Sequence, residues 1–275
     1  MTRRLVWTAC LVVAAAFAWC CCRGQKPQPE EKRSPEAQDG APALTEEERL
    51  ADEAYDAQDR DAPLKKTGEH TYALDGITID TKAKQVRFAA VVNQTQLELP
   101  LEVLICTEYG KTHEALFRTG ISPTYLNVAF KLIGCHGGKP RAGVGRPEIP
   151  VGSPVEIEVK WTPKQGKAAT IEPEAWIWNH QTKAPMKPTH WTYTGSMFHM
   201  GKFMAQATGT IVNLYVDPST LVEPPIPEVQ DDTVFGVYEK VVPPTGTKVE
   251  IIITALPEKQ GEQTGEETGE EGGGE

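Results

Sequence analysis

The sequence predicts a mainly β (α+β) fold, an antiparallel, sandwich-like β core with one α-helix packed on it. Three observations lead there. Apolar residues recur at every second position over several short segments, which places them on one face of an extended chain. Turn signals, not helices, separate those segments, so a doubly wound parallel sheet is not expected. One stretch, after Ser122-Pro123, carries apolar residues at helical spacing.

Taken in order, Ala73 to Asp80 reads as a strand with Leu74, Ile77 and Ile79 apolar. Asp80 to Lys84 reads as a turn, and Gln85 to Val92 as the next strand. Leu97, Leu99, Leu101, Val103 and Ile105 alternate through a strand spanning 97–107. Tyr109-Gly110-Lys111 then turns the chain. Ser122 can cap free helical N–H groups and Pro123 suits the first helical position. Leu126, Ala129, Phe130 and Ile133 form the helix stripe, and Gly134 is a left-handed stop. Cys135 to Pro150 is a Gly/Pro loop without the spacing of a phosphate-binding loop. Val155, Ile157, Val159 and Trp161 alternate with Glu156, Glu158 and Lys160 in a half-exposed strand. Ile171 to Asn179, Trp191 to Phe198, a hairpin of Lys202 to Thr208 with Ile211 to Val216 around Gly209, then Val234 to Val242 and Lys248 to Thr254 complete the strands. Leu221 to Asp232 is a Pro-rich connection.

The two ends read differently. Residues 1–22 resemble a bacterial lipoprotein signal: Arg3 and Arg4, an apolar run from Leu5 to Trp19, then Cys20-Cys21-Cys22. Cys20 is the first candidate for lipidation, although Trp19 is bulky where a small residue is expected. The run falls short of the roughly 20 apolar residues of a membrane span. Residues 23–69 are rich in Pro, Glu and Ala and read as a disordered acidic stalk. Residues 258–275 are a Glu/Gly tail of low complexity. The domain proper is 70–257. Residues 25–69 hold 13 acids and 7 bases, the tail holds 7 and 1, and 70–257 hold 18 and 17. The acidity therefore sits in the tethers. A nearly neutral domain without a basic cluster argues against nucleic acid. Membrane contact is expected through a lipid anchor.

An ordered set of motifs resembles the YdjY-like domain family of bacterial exported proteins and lipoproteins. The set comprises the opening strands GITIDTKAKQVRFAAVV, Leu101 to Leu104, Gly110 to Leu116, the helix ending Leu132-Ile133-Gly134, Pro173 to Ile177, Trp191 to Ser196 and Val242 to Thr247. The resemblance covers most of 70–255 and implies a cell-envelope location. It implies no reaction.

Few residues carry chemistry in a recognisable pattern. No histidine pair stands at HExxH or i, i+4 spacing, so no metal or cofactor is expected. His113 and Glu114 are adjacent, and neighbours on a strand or helix diverge, so one metal cannot easily bind both. Glu114 is expected to cap a short helix around Ala115 to Arg118. Ser196 lies in Thr-Gly-Ser-Met, a turn rather than a hydrolase elbow. Cys106 and Cys135 are the only cysteines of the domain. They are either two isolated core thiols or a disulfide, which an exported protein permits.

The leading expectation is a binding or structural domain, with no catalytic residues. Its candidate ligand site joins His113, Glu114, Trp191, Tyr193, Gly195 and Ser196 in a groove beside the Gly/Pro loop. The aromatic residues would offer a platform to an envelope protein, peptide or glycan. The alternative is a metal-dependent or redox accessory enzyme using His113, Glu108, Glu114 and the two thiols.

Overall fold

A computed structural model of the chain describes residues 61–163 and 166–258. The expected signal segment, most of the stalk and nearly all of the tail lie outside the described residues.

The body begins earlier than the boundary at residue 70. Strand β1 (Lys65–Lys66) pairs with β2 (Thr71–Leu74), and the Ala62 N–H donates to Tyr125 Oη at 3.0 Å. The expected strand over Ala73–Asp80 is a hairpin of β2 and β3 (Ile77–Asp80). Asp75 (φ 43°) and Gly76 (φ 81°) both adopt the positive φ that tight hairpin turns demand. β4 (Gln85–Val92) follows as expected and buries Val86, Phe88, Ala90 and Val92.

The strand expected over 97–107 is only β5 (Val103–Thr107). Pro100 has no N–H for a ladder, and Leu99 is exposed. The segment around His113 is a 3-10 turn (Thr112–Glu114), and Ala115–Thr119 is strand β6, not a helix. Helix α1 (Pro123–Leu132) buries Leu126, Ala129 and Phe130, with Ile133 just beyond. Leu126, Phe130 and Ile133 each contribute about 1.5–3 kcal/mol when fully buried. Gly134 (φ 89°) ends the helix as expected.

β7 (Ser153–Trp161) buries Val155, Ile157 and Val159, leaving Glu156 and Lys160 exposed and Glu158 half-buried. β8 (Ala169–Ile171) flanks it. β9 (Ile177–Asn179) and β10 (Ala184–Pro185) belong to a small second sheet completed by β16 (Phe235–Val237). β11 (Trp191–Tyr193) leads into a short hairpin of β12 (Phe198–His199) and β13 (Lys202–Phe203). The expected strand Lys202–Thr208 turns after two residues into helix α2 (Met204–Thr208), which Gly209 (φ 70°) terminates. β14 (Thr210–Asn213), β15 (Val222–Glu223) and β17 (Lys248–Ala255) complete the chain.

The fold is mainly β, and α1 packs against β3 and α2. Neighbouring strands run β4–β17–β7–β11–β15–β14–β5–β6, and β6 pairs back onto β4 through Val91–Arg118 and Val92–Phe117. The two faces of the expected sandwich are thus joined into a closed eight-strand barrel. Most pairings are antiparallel, while β5–β6 and β14–β15 are parallel. Gln206 of α2 ties the helices together. Its Oε1 accepts from Ser122 Oγ (2.8 Å), Thr124 N–H (3.1 Å) and Thr124 Oγ1 (3.0 Å). The capping role expected of Ser122 therefore falls to a glutamine distant in sequence.

Candidate functional site

The six nominated residues do not form one surface. Trp191 and Tyr193 are fully buried in the core. The Trp191 indole N–H donates to Glu174 Oε1 at 2.9 Å. Tyr193 stacks on Phe130 of α1 with ring centroids 4.4 Å apart and donates its hydroxyl to Asn127. Alternation along β11 explains this: with residues 191 and 193 inward, Thr192 faces the other way. No aromatic platform forms there, because both rings serve as core.

Gly195 (φ 80°) and Ser196 (φ 61°) make a turn. Ser196 Oγ donates to the Ser219 carbonyl at 2.5 Å and accepts from Ala205 N–H at 3.1 Å. This hydroxyl clamps the base of the β12–β13 hairpin. His113 is largely exposed and lies 3.5 Å from Glu114. Burial raises the Glu114 carboxyl above its usual range, and neighbouring Glu102 adds to the shift. Glu102 also accepts from Lys111 Nζ at 3.1 Å. Burial pulls the Lys111 ammonium down, but Glu102, Asp217 and Glu114 together hold it above its ordinary value. Asp217 in turn accepts from Ser219 Oγ at 2.5 Å and from Thr210 Oγ1 at 3.4 Å. Polar contacts therefore join Lys111 to Glu102 beside the 113–114 turn and, separately, Asp217 through Ser219 to the Ser196 turn.

The set named for metal or redox chemistry does not gather. Glu108 pairs with Arg118 at 3.4 Å rather than with His113. Among the described residues, no three His, Cys, Asp or Glu side chains are grouped as a metal site. The expected alternative of a Cys106–Cys135 disulfide is not realised. Cys106 sits in a small cluster with Val103 and Ala115, whereas Cys135 joins the main core, and both thiols are free. Burial pushes Cys106 up to about 12 and Cys135 up to about 11. Such thiols hold little thiolate at neutral pH and are poor nucleophiles.

What the structure does assemble is an apolar groove of about 680 Å³ on the outside of the barrel. Thr192 and Pro154 lie in it as paired neighbours on β11 and β7. Ile149 and Val151 of the Gly/Pro loop, Pro225 and Leu256 wall it, with His190 at its margin. Ile149 is 63 % and Val151 59 % exposed. The sequence reading placed the Gly/Pro loop near the site but missed Thr192 and Pro225. The alternation of β11 was the signal for Thr192; nothing in sequence points to Pro225.

Arg141 holds two walls of this groove together. It is 2 % exposed, and its Nε lies 3.3 Å from Glu223 Oε2. Its backbone N–H donates to Glu223 Oε1 at 2.9 Å, its Nη1 to the Glu148 carbonyl at 2.9 Å, and its Nη2 to those of Pro224 (3.3 Å) and Ile226 (2.9 Å). The loop bearing Ile149 and Val151 is thereby fastened to the segment bearing Pro225. Burial pushes Glu223 up to about 7, with Arg141 opposing.

Among the described residues no helix is long and apolar enough to cross a membrane. No curated protein and no solved structure matches the chain. The model of the YdjY domain matches residues 77–254, nearly the whole of the described barrel and most of the chain. The chain belongs to the YdjY domain family.

Proposed function

We propose that this is a binding module of the bacterial cell envelope, exported and anchored by a lipid on Cys20, whose groove takes an extended apolar peptide segment of a partner envelope protein. The observation that carries the binding reading is the groove itself. Its volume lies in the range of ligand sites, and large aliphatic side chains stand open to solvent along its rim. Four of its lining residues are the prolines Pro150, Pro154, Pro225 and Pro257, which lend no backbone N–H. Recognition there is by packing of apolar side chains, which suits a peptide better than a glycan.

The test uses the full chain and the apolar dye anilinonaphthalene sulfonate, displaced by synthetic peptides rich in Val, Ile and Pro. Val151→Asp is expected to lower dye binding several-fold and to remove displacement by peptide. Unchanged dye binding and displacement in that variant would overturn the groove assignment.

The exported, lipid-anchored reading rests on the N-terminal pattern of Arg3, Arg4, the apolar run to Trp19 and Cys20. Incorporation of labelled palmitate in a bacterial host, lost in Cys20→Ala, is the expected result. Equal labelling of the variant moves the lipid to another site, and no labelling of the native chain removes it.

A further inference from the structure

Helix α1 is apolar on both sides. Leu126, Ala129 and Phe130 are buried on the barrel side, yet Val128 and Leu132 are each 39 % exposed on the other. Tyr125, Val128 and Leu132 stand at i, i+3 and i+7, so they form a single outward stripe. Large aliphatic side chains thus occupy positions where a surface helix ordinarily carries polar ones. The helix has Lys131 beside this stripe and no acid. The described chain begins against the same stripe. The Ala62 N–H donates to Tyr125 Oη at 3.0 Å, and Ala62 and Tyr125 both pack on the core. The segment that precedes Asp61 is therefore tied to the domain beside α1.

The sequence of that segment is amphipathic. Thr45 and Glu48 have the spacing of a capping box, with Thr45 as the N-cap. At the helical turn of about 100° per residue, Leu50, Ala51, Ala54, Tyr55 and Ala57 fall within an arc of about 160°. Glu47 is the only charged residue of 46–57 inside that arc. Residues 46–57 hold six acids and one base, a charge opposite to that of Lys131. A helix of about 12 residues is marginal alone in water and gains its stability from an apolar partner. Its length of about 18 Å exceeds the roughly 10 Å of α1 between Tyr125 and Leu132. The link from Ala57 to Asp61 spans up to roughly 13 Å, so the two apolar faces can meet within one chain.

We infer that residues 46–57 dock as a helix on the outer stripe of α1, with Leu50, Ala54 and Tyr55 against Val128 and Leu132. The short link sets the segment antiparallel to α1, running from the Leu132 end toward Tyr125. The apolar arc then faces α1, and the acids on the opposite side face water. The inference is independent of the groove and of Cys20. It extends the body of the domain by one element and shortens the spacer between the domain and any N-terminal anchor.

The test is hydrogen exchange of the full chain, read by peptide mass spectrometry, with the amides of β4 as the control for folding. Amides of 48–57 are expected to exchange roughly tenfold or more slowly than in a synthetic peptide of residues 44–60. In Val128→Asp/Leu132→Asp, which alters two exposed side chains of α1, that protection is expected to fall to the level of the peptide while β4 stays protected. If that variant fails to fold, Leu50→Asp/Tyr55→Asp removes the other side of the contact and leaves the barrel untouched. Peptide-level exchange in the native chain would overturn the inference and leave the stripe to another protein. Protection kept in the double variants would overturn the assignment to α1. Protection that disappears on dilution would overturn docking within one chain and assign the stripe to the same segment of a second copy.

Discussion

Trp191 and Glu174 meet in the core through a single hydrogen bond of 2.9 Å, and the second carboxylate oxygen of Glu174 has no partner. Burial pushes Glu174 up to about 7, against the hydrogen bonds that oppose the shift. The unfolded carboxyl titrates near pH 4.3. Below that pH both states are protonated. Between about pH 4 and 7 the unfolded chain ionises while the native carboxyl keeps its proton, so stability falls as pH rises through that window. Glu223, also pushed up to about 7 by burial, adds the same sign. Each shift corresponds to about 3 kcal/mol. Urea unfolding followed from pH 5 to 8 is expected to show declining stability. Glu174→Gln keeps an acceptor for Trp191 and is expected to cut the slope by about half.

Arg141 fastens the Gly/Pro loop to the chain around Pro225, so its removal leaves Glu223 and the buried carbonyls of Pro224 and Ile226 without their donor. Arg141→Ala is expected to cost about 3–5 kcal/mol in urea unfolding. Limited thermolysin digestion is expected to cut before Val144 ahead of the rest of the domain, because the loop then opens locally. Unchanged protection of that bond would show that the loop does not depend on Arg141.

Gly152 (φ 154°) leaves no room for a side chain. A Cβ there would lie 2.0 Å from the Tyr193 carbonyl oxygen, a backbone atom that cannot swing aside. Gly152→Ala is expected to lose more than about 2 kcal/mol, measured by thermal or urea unfolding. The same change at Gly145, where nothing lies within 4 Å, is expected to cost less, its positive φ being the only obstacle.

Cys106 and Cys135 are buried thiols with raised pKa values. Iodoacetamide is expected to modify neither in the native domain and both in urea, as read by peptide mass. A Cys106–Cys135 crosslinked peptide in the native protein would contradict the packing described.

Much of the fold was legible where one residue type decides the matter. The alternation over β4 and β7, the apolar stripe of α1 and the stop at Gly134 follow from local pattern. The Asp75-Gly76 turn was hidden because Leu74, Ile77 and Ile79 read as one apolar face across it. Pro100 cuts the 97–107 alternation through its missing N–H, against five leucines, valines and isoleucines that favour a strand. The closure of β6 onto β4 and the cap supplied by Gln206 depend on residues far apart in sequence, which no local window relates. The site was legible only in part. Trp191 and Tyr193 were chosen as aromatics, yet the alternation that buries them also turns Thr192 toward the groove. Arg141, Glu174 and Glu223 read as ordinary solvated charges until the fold encloses them.

The pairing of β6 with β4 bears on how the protein behaves when crowded. A ring of strands has no free rim in its circuit onto which a second copy can add. One branch that leaves the ring ends at β1, two residues long and made of Lys65 and Lys66, and the other is the three-residue β8. Two ammonium groups on so short a border as β1 repel a like strand. At that border, short length and paired ammonium groups oppose the stacking of crowded copies into fibrils.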